Sequence, residues 1–154
     1  MYLYLVQHGE SKSKEDDPER PLTENGVQYT EKVAMYVSEK CNIEINRIIH
    51  SGKKRALQTA EIFKEYLNPP GGVVFEKELE PMSAPWGWVE KLKDLEEDIM
   101  IVGHLPHLKR LSSLLLCQDE SKIIISFKNS GVVCLNRNES GIWSVFWVVV
   151  PSIV

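Results

Sequence analysis

The sequence has few cysteines, and none of them is placed for a cross-link or a metal site. The three residues, Cys41, Cys117 and Cys134, are odd in number and far apart, and no Cys-x-x-Cys pair occurs. A disulfide framework or a structural zinc site needs paired or closely spaced cysteines. The pattern argues against both and is typical of the reducing cytosol, so we expect a cytoplasmic location.

An excess of basic residues is also missing, as is any long hydrophobic run. The formal net charge of −4 argues against bulk nucleic-acid binding. The apolar run 142–150 is about half as long as a membrane-spanning helix, and the N-terminal run 2–6 lacks the length and basic flank of a signal peptide. We therefore expect a soluble protein without nucleic-acid or membrane partners, in which a local basic cluster holds any bound anion.

What the sequence does contain is an alternation of strand and helix patterns over 154 residues, about the size of one domain. Buried or closing strands are predicted at 2–6, 47–50, 73–75, 99–102, 123–125, 132–135 and 143–150. Helices are predicted after Thr23, after 53, over 86–95 and from about 105. This alternation predicts an α/β fold: a three-layer sandwich whose mostly parallel sheet has an antiparallel edge and helices on both faces.

Three of the predicted strands end in polar residues that suit an anion. Gln7 and His8 follow the first strand, a segment from Ser51 to Arg55 follows the second, and His104 follows the third. The carboxyl ends of parallel strands lie along one rim of a sheet, so two histidines and an arginine can converge there. Arginine matches phosphate oxygens, helix N-termini favour anions, and a neutral histidine can attack phosphorus. The pattern indicates a phosphoryl group as ligand.

These motifs resemble the histidine phosphatase superfamily, also called the phosphoglycerate mutase-like family. Residues 5–10, LVQHGE, are similar to its Arg-His-Gly signature with one change. Residues 51–60, SGKKRALQTA, are similar to its Ser-Pro-x-x-Arg-Ala-x-x-Thr-Ala segment, and 102–104, VGH, to its second histidine motif. The stretches 20–26, RPLTENG, and 104–106, HLP, point to the SixA-like branch of small phosphohistidine phosphatases.

The resemblance implies roles for four residues. His8 would be the nucleophile that is transiently phosphorylated, His104 would stabilise the transferring phosphoryl group, and Arg55 would bind its oxygens. Arg20 matches a phosphate-contacting arginine of the branch; the alternative is a loop arginine ion-paired with the acidic run 15–17. The resemblance also implies one domain over residues 1–154 that works without a metal or another cofactor.

Gln7 departs from the family pattern, which has arginine at this position. Glutamine keeps an N–H₂ donor for the phosphate and loses the charge. Replacing a charge-assisted hydrogen bond by a neutral one costs roughly 1–3 kcal/mol, or about ten- to a hundredfold in rate or affinity. A catalytically weakened, phosphate-binding or regulatory module is therefore an alternative to an enzyme.

The proton donor decides between two substrate classes. An alkoxide leaving group needs a general acid, and Glu80 lies in about the right region, although a solvated loop carboxylate is the alternative. Phosphohistidine needs no strong acid, because imidazole is a better leaving group. Together with the resemblance to the SixA-like branch, this implies dephosphorylation of phosphohistidine in proteins, with a small-molecule phosphomonoesterase as the alternative.

Several further residues are given structural interpretations. His104 and His107 have the spacing of two metal ligands on a helix, but no carboxylate or thiolate motif accompanies them, so no metal is expected. We expect His107 near the pocket mouth or on the surface, and His50 as a hydrogen-bonded core histidine. Trp86 and Trp88 are expected in the core or along a substrate groove.

Overall fold

A computed structural model describes residues 1–154 and contains one six-stranded sheet. Its strands are β1 (Tyr2–Gln7), β2 (Arg47–His50), β3 (Val73–Phe75), β4 (Ile99–Gly103), β5 (Val132–Arg137) and β6 (Trp143–Val149). They lie in the order β3-β2-β4-β1-β5-β6. The first four are mutually parallel, whereas β5 and β6 are antiparallel to their neighbours. The predicted mostly parallel sheet with an antiparallel edge is confirmed.

Helices cover both faces of this sheet, as predicted. The α-helices are α1 (Glu24–Glu39), α2 (Lys54–Leu67), α3 (Trp86–Asp94) and α4 (His107–Cys117), and short 3-10 helices lie at Lys77–Leu79 and Pro151–Ile153. Successive residues of a strand point to opposite faces. Leu3 and Leu5 of β1 therefore join the hydrophobic cluster of α3 and α4, while Tyr4 and Val6 join that of α1 and α2.

The start of α1 is built against the loop that follows β1. Thr23 caps the helix, since its hydroxyl accepts the backbone N–H of Gly26 at 3.0 Å. A Cβ on Gly26 would lie 2.1 Å from the carbonyl oxygen of Glu10. Only glycine allows this approach of the two backbones, and the approach places α1 directly behind the loop that carries His8.

Two predicted elements are wrong in detail. Residues 123–125 form no strand; Ile123 and Ile124 are 79% and 49% exposed, and only Ile125 enters the core. The three isoleucines favour a strand, but β5 already has β1 and β6 on its two sides and offers no free edge. The last helix begins at His107 and not at 105, because Leu105 and Pro106 form a turn before it.

Two further features are the apolar character of the helices and the state of the three cysteines. No helix combines the length and the apolar character that crossing a membrane requires. All three cysteines are free thiols: Cys134 is buried in the sheet, Cys41 is half-buried and Cys117 is exposed.

Candidate active site

The ends of β1, β4 and β2, which are adjacent in the sheet, bring the predicted site residues together. The rings of His8 and His104 have centroids 5.0 Å apart. Arg55, in the first turn of α2, places its Nε 3.2 Å from Nε2 of His8. These side chains line one cleft of about 360 Å³. Its walls are formed by Gln7, His8, Glu10, Ser11, Arg20, Arg55, Pro81, His104, Leu105 and Asn129.

His8 is held in one tautomer by its own backbone. Its Nδ1 lies 2.7 Å from the carbonyl oxygen of Gly9, which can only accept, so Nδ1 carries the proton. Nε2 then keeps a lone pair and accepts a hydrogen bond from Nε–H of Arg55. Burial lowers the pKa of His8 to about 4, with the Arg55 and Arg20 charges acting in the same direction. The imidazole is therefore neutral at pH 7, as a nitrogen nucleophile must be.

The loop of His8 is fixed by hydrogen bonds to two other segments and by close packing against α1. The backbone N–H of Gly9 donates to Oγ1 of Thr59 on α2 at 2.9 Å. The amide of Asn129 donates to the carbonyl oxygen of His8 at 2.8 Å. A Cβ on Gly9 would lie 2.7 Å from Oγ1 of Thr30 on α1. The glycine is thus required by the packing of α1.

His104 is buried, and a residue that follows β2 is hydrogen-bonded to its ring. Its Nε2 lies 2.5 Å from the hydroxyl of Ser51, and its Nδ1 is buried without a partner. Burial, the neighbouring His8 and the Arg55 charge lower its pKa to about 3. The hydroxyl orients the ring and restricts where its proton resides. Sequence reasoning assigned Ser51 no contact of its own, although the residue stands in the same motif as Arg55.

Arg20 lies in the cleft and not in an ion pair. Its Nε donates to the carbonyl oxygen of Lys12 at 3.2 Å, and one Nη donates to the hydroxyl of Ser11 at 3.4 Å. None of the carboxylates in the run 15–17 forms an ion pair with it, so that alternative is wrong. Its charge also lowers the pKa of Arg55, after the larger effect of burial. Two guanidinium groups thus face one small cleft.

The carboxylate of the cleft belongs to Glu10, which sequence reasoning did not single out. Glu10 is exposed, and its Oε1 accepts the hydroxyl of Thr23 at 2.6 Å. Glu80 lines the adjacent hollow over Gly52 and forms an ion pair of 3.8 Å with Lys53. Glu10 is therefore the only acidic residue that lines the cleft. Its position directly after His8 and Gly9 was the available signal.

Gln7 occupies the wall where the family has arginine. Its side-chain Oε1 is buried and has no hydrogen-bond partner. The side chain is not tied to another protein group, so its position depends on packing at the end of β1.

His107 does not lie at the pocket mouth or on the surface. It is fully buried, and both ring nitrogens lack a partner. It lies on the face of α4 that also buries Leu108 and Leu111, so the helix turns it into the core. Burial, with the charge of Arg110, lowers its pKa to about 4.

The remaining candidates lie outside the cleft. His50 is buried, and its Nδ1 accepts the backbone N–H of Gly52 at 3.1 Å, as expected of a bonded core histidine. Trp88 packs in the core, whereas Trp86 is half exposed. No group of three or more His, Cys, Asp or Glu side chains is placed to hold a metal ion.

Comparison with known proteins places this arrangement in a family. The model of the histidine phosphatase superfamily (branch 1) matches residues 3–84, a range that includes His8, Arg20 and Arg55. Phosphohistidine phosphatase SixA of Escherichia coli (strain K12) is 27% identical over 156 residues, which cover 98% of this chain and 94% of that protein.

Solved structures agree with this placement over the full chain. The protein histidine phosphatase SixA complexed with tungstate superposes with a TM-score of 0.86 at 25% identity, covering 99% of both chains. The alpha-ribazole phosphatase from Shigella flexneri has a TM-score of 0.81 at 14% identity, covering 98% of this chain and 97% of its own. The second likeness shows the shared fold alone.

Proposed function

Because the chain belongs to the histidine phosphatase superfamily and to its SixA-like branch, we propose that it dephosphorylates phosphohistidine in proteins through a covalent phosphohistidine on His8. One observation carries the proposal: the Gly9 carbonyl holds the proton on Nδ1 of His8, which leaves the lone pair of Nε2 in the cleft. His104, Arg55, Arg20 and Gln7 would bind the phosphoryl group around it.

In the first step, Nε2 of His8 attacks phosphorus. A bond forms between phosphorus and Nε2, and the bond from phosphorus to the substrate nitrogen breaks, with its electron pair going to that nitrogen. Arg55 has to release Nε2, and its guanidinium then meets the oxygens of the phosphoryl group. Because both His8 and His104 are neutral, neither loses its lone pair to a proton at pH 7.

In the second step, water attacks phosphorus and the bond to Nε2 breaks. The electron pair returns to Nε2, the proton of the attacking water passes to phosphate or solvent, and inorganic phosphate leaves. Nδ1 of His8 keeps its proton throughout and donates it in a hydrogen bond to the Gly9 carbonyl oxygen. His8 therefore leaves phosphorus as neutral imidazole. The same reasoning favours a substrate imidazole as the first leaving group, since it needs no strong acid.

A small-molecule phosphomonoesterase is the second candidate, and the carboxylate of Glu10 in the cleft favours it. A protonated Glu10 could give its proton to an alkoxide as the P–O bond breaks. Glu10→Gln separates the two candidates. A large loss on alkyl phosphates with retained activity on phosphohistidine assigns Glu10 as an acid for ester hydrolysis alone.

The deciding experiment is release of inorganic phosphate from a histidine-phosphorylated carrier protein. We expect turnover by the wild type and none by His8→Ala. His50→Asn is the matched control, since it changes a buried histidine outside the cleft and keeps an acceptor for Gly52. If the wild type releases no phosphate from the carrier protein and hydrolyses no alkyl phosphate, the enzyme hypothesis is wrong. The alternative is then a phosphate-binding module in which Gln7 has replaced the family arginine.

A further inference from the structure

A larger groove continues from the cleft along the protein surface. It encloses about 730 Å³, roughly twice the volume of the cleft. Glu10 and Asn129 form part of both walls, so the two spaces are adjacent. The far walls are α1, the loop 126–130 and the C-terminal stretch 150–152. None of these segments takes part in the proposed phosphoryl transfer.

The boundary between groove and cleft is tied to the nucleophile. Asn129 donates its amide hydrogen to the carbonyl oxygen of His8, and Ser130 donates its backbone N–H to the carbonyl oxygen of Gln7 at 2.9 Å. The Ser130 hydroxyl is also bonded to that of Thr30 at 2.8 Å. The cleft end of the groove is therefore fixed relative to His8.

The groove is positively charged in a chain of net charge −4. Lys32, on α1, and Lys128, in the loop, both line it and are exposed. Neither forms an ion pair, although nine contacts between lysine or arginine and a carboxylate occur elsewhere. Tyr29, 47% exposed, adds an aromatic surface on the same helix. The single carboxylate of the lining, Glu10, stands at the cleft end and is bonded to Thr23.

We propose that this groove binds an acidic segment of the phosphorylated protein next to its phosphohistidine. The proposal rests on the proposed function and names the part of the substrate that the cleft cannot hold. The cleft takes the phosphoryl group and the imidazole bearing it, whereas a groove of this size and charge accommodates several residues of polypeptide with Asp or Glu facing Lys32 and Lys128. The occupied groove contributes binding and not chemistry.

The test compares a phosphoprotein with a small substrate that has the same bond. The double variant Lys32→Glu, Lys128→Glu is assayed on the histidine-phosphorylated carrier protein and on phosphoimidazole. We expect KM for the phosphoprotein to rise about tenfold with kcat changed less than twofold, since two surface attractions become repulsions. The loss should be confined to the phosphoprotein. The kcat/KM of the wild type for the phosphoprotein should fall with added salt, and more steeply than that of the double variant.

The matched control is Lys40→Glu, Lys77→Glu, which makes the same charge change at two exposed, unpaired lysines away from the groove. This control should behave as the wild type. Equal KM increases in both double variants would indicate a net-charge effect and overturn the proposed groove. An unchanged KM in the Lys32→Glu, Lys128→Glu variant would also overturn it. Failure of the proposed function looks different, because the wild type then releases no phosphate from the carrier protein at all.

Discussion

Nε of Arg55 lies 3.2 Å from Nε2 of His8, so the residue proposed to bind phosphate is bonded to the lone pair proposed to attack it. Without a phosphoryl group, this hydrogen bond holds the imidazole in place, and the Arg55 side chain lines the cleft. In the proposed mechanism, the phosphoryl oxygens compete for Arg55 on binding, and Nε2 becomes free. The bonded pair would then act as a nucleophile and an electrostatic clamp.

Replacing Arg55 by lysine should reduce activity strongly. Lysine keeps the charge but has neither the Nε–H that meets His8 nor the planar fork that matches phosphate oxygens. We expect kcat/KM for phosphoimidazole to fall by roughly 10²–10³-fold. Arg110→Lys, on α4 and paired with Glu120, is the matched control and should keep wild-type kinetics. Equal activity of the two variants would exclude Arg55 from the phosphoryl site.

Gln7→Arg should increase activity. The Oε1 of Gln7 is buried without a partner, so the substitution breaks no hydrogen bond of that oxygen, and it adds a charged donor to the cleft wall. A gain of about ten- to a hundredfold in kcat/KM is expected from the charge-assisted bond. Gln28→Arg adds the same charge at an exposed position of α1 and serves as control. A loss of activity in Gln7→Arg alone would show that the cleft is adapted to the neutral amide.

The histidines of the site and of α4 predict a loss of stability in acid. Half-buried His8 and buried His104 and His107 have folded-state pKa values of about 4, 3 and 4, below the ordinary histidine value of about 6.5. The unfolded chain therefore binds more protons below pH 6.5, and the folded state loses stability as the pH falls from about 6.5 toward 4. Each histidine contributes up to about 1.4 kcal/mol per pH unit in that window. Urea unfolding at pH 7, 5.5 and 4.5 measures the loss.

His107→Leu should flatten this pH dependence and raise stability at pH 7. Two buried ring nitrogens without partners disappear, and an apolar side chain of similar volume enters a hydrophobic cluster, for a gain of about 1 kcal/mol in the free energy of unfolding. His50→Leu is the contrasting variant, since it leaves the N–H of Gly52 without its acceptor and should lower stability. The interpretation is wrong if both variants shift the urea midpoint in the same direction.

Gly26→Ala and Gly87→Ala form a matched pair that tests the packing behind His8. A Cβ on Gly26 would stand 2.1 Å from the Glu10 carbonyl oxygen, whereas one on Gly87 has its nearest neighbour, a Glu78 side-chain oxygen, at 3.9 Å. We expect Gly26→Ala to lose about 2 kcal/mol or more and to lower kcat by displacing the loop. Gly87→Ala in α3 should be neutral or gain up to about 1 kcal/mol. Thermal unfolding and phosphoimidazole kinetics give both readouts.

The fold and the gathering of His8, Arg55 and His104 followed from local patterns. Apolar runs of five and four residues predicted β1 and β4, and the short segment 47–50 predicted β2. The rule that parallel strands end on one rim brought their polar termini together. The capping hydroxyl of Thr23 was also readable, because a cap needs only a residue and the N–H groups after it. Such features depend on neighbours within a few positions along the chain.

Other features depended on segments far apart in the sequence. Residues 123–125 have strand propensity, but β5, the strand that follows them, is already flanked by β1 and β6. His107 looked polar, and its position on α4 turned it into the core. Glu10 entered the cleft because α1 packs against its backbone. In each case, residue type indicated one environment and tertiary packing imposed another.

The motifs of the linear chain indicate which chemistry the protein can carry, because their spacing places a histidine, an arginine and a second histidine at the ends of three strands. How that chemistry is arranged depends on contacts between segments that are distant in the chain. The tertiary structure assigned the proton of His8 to Nδ1 through the Gly9 carbonyl and set Arg55 on the free nitrogen. It also opened a basic groove beside the cleft. Hydrogen-bond geometry and the shape of a surface depend on distances between segments, and a linear pattern of residues does not contain those distances.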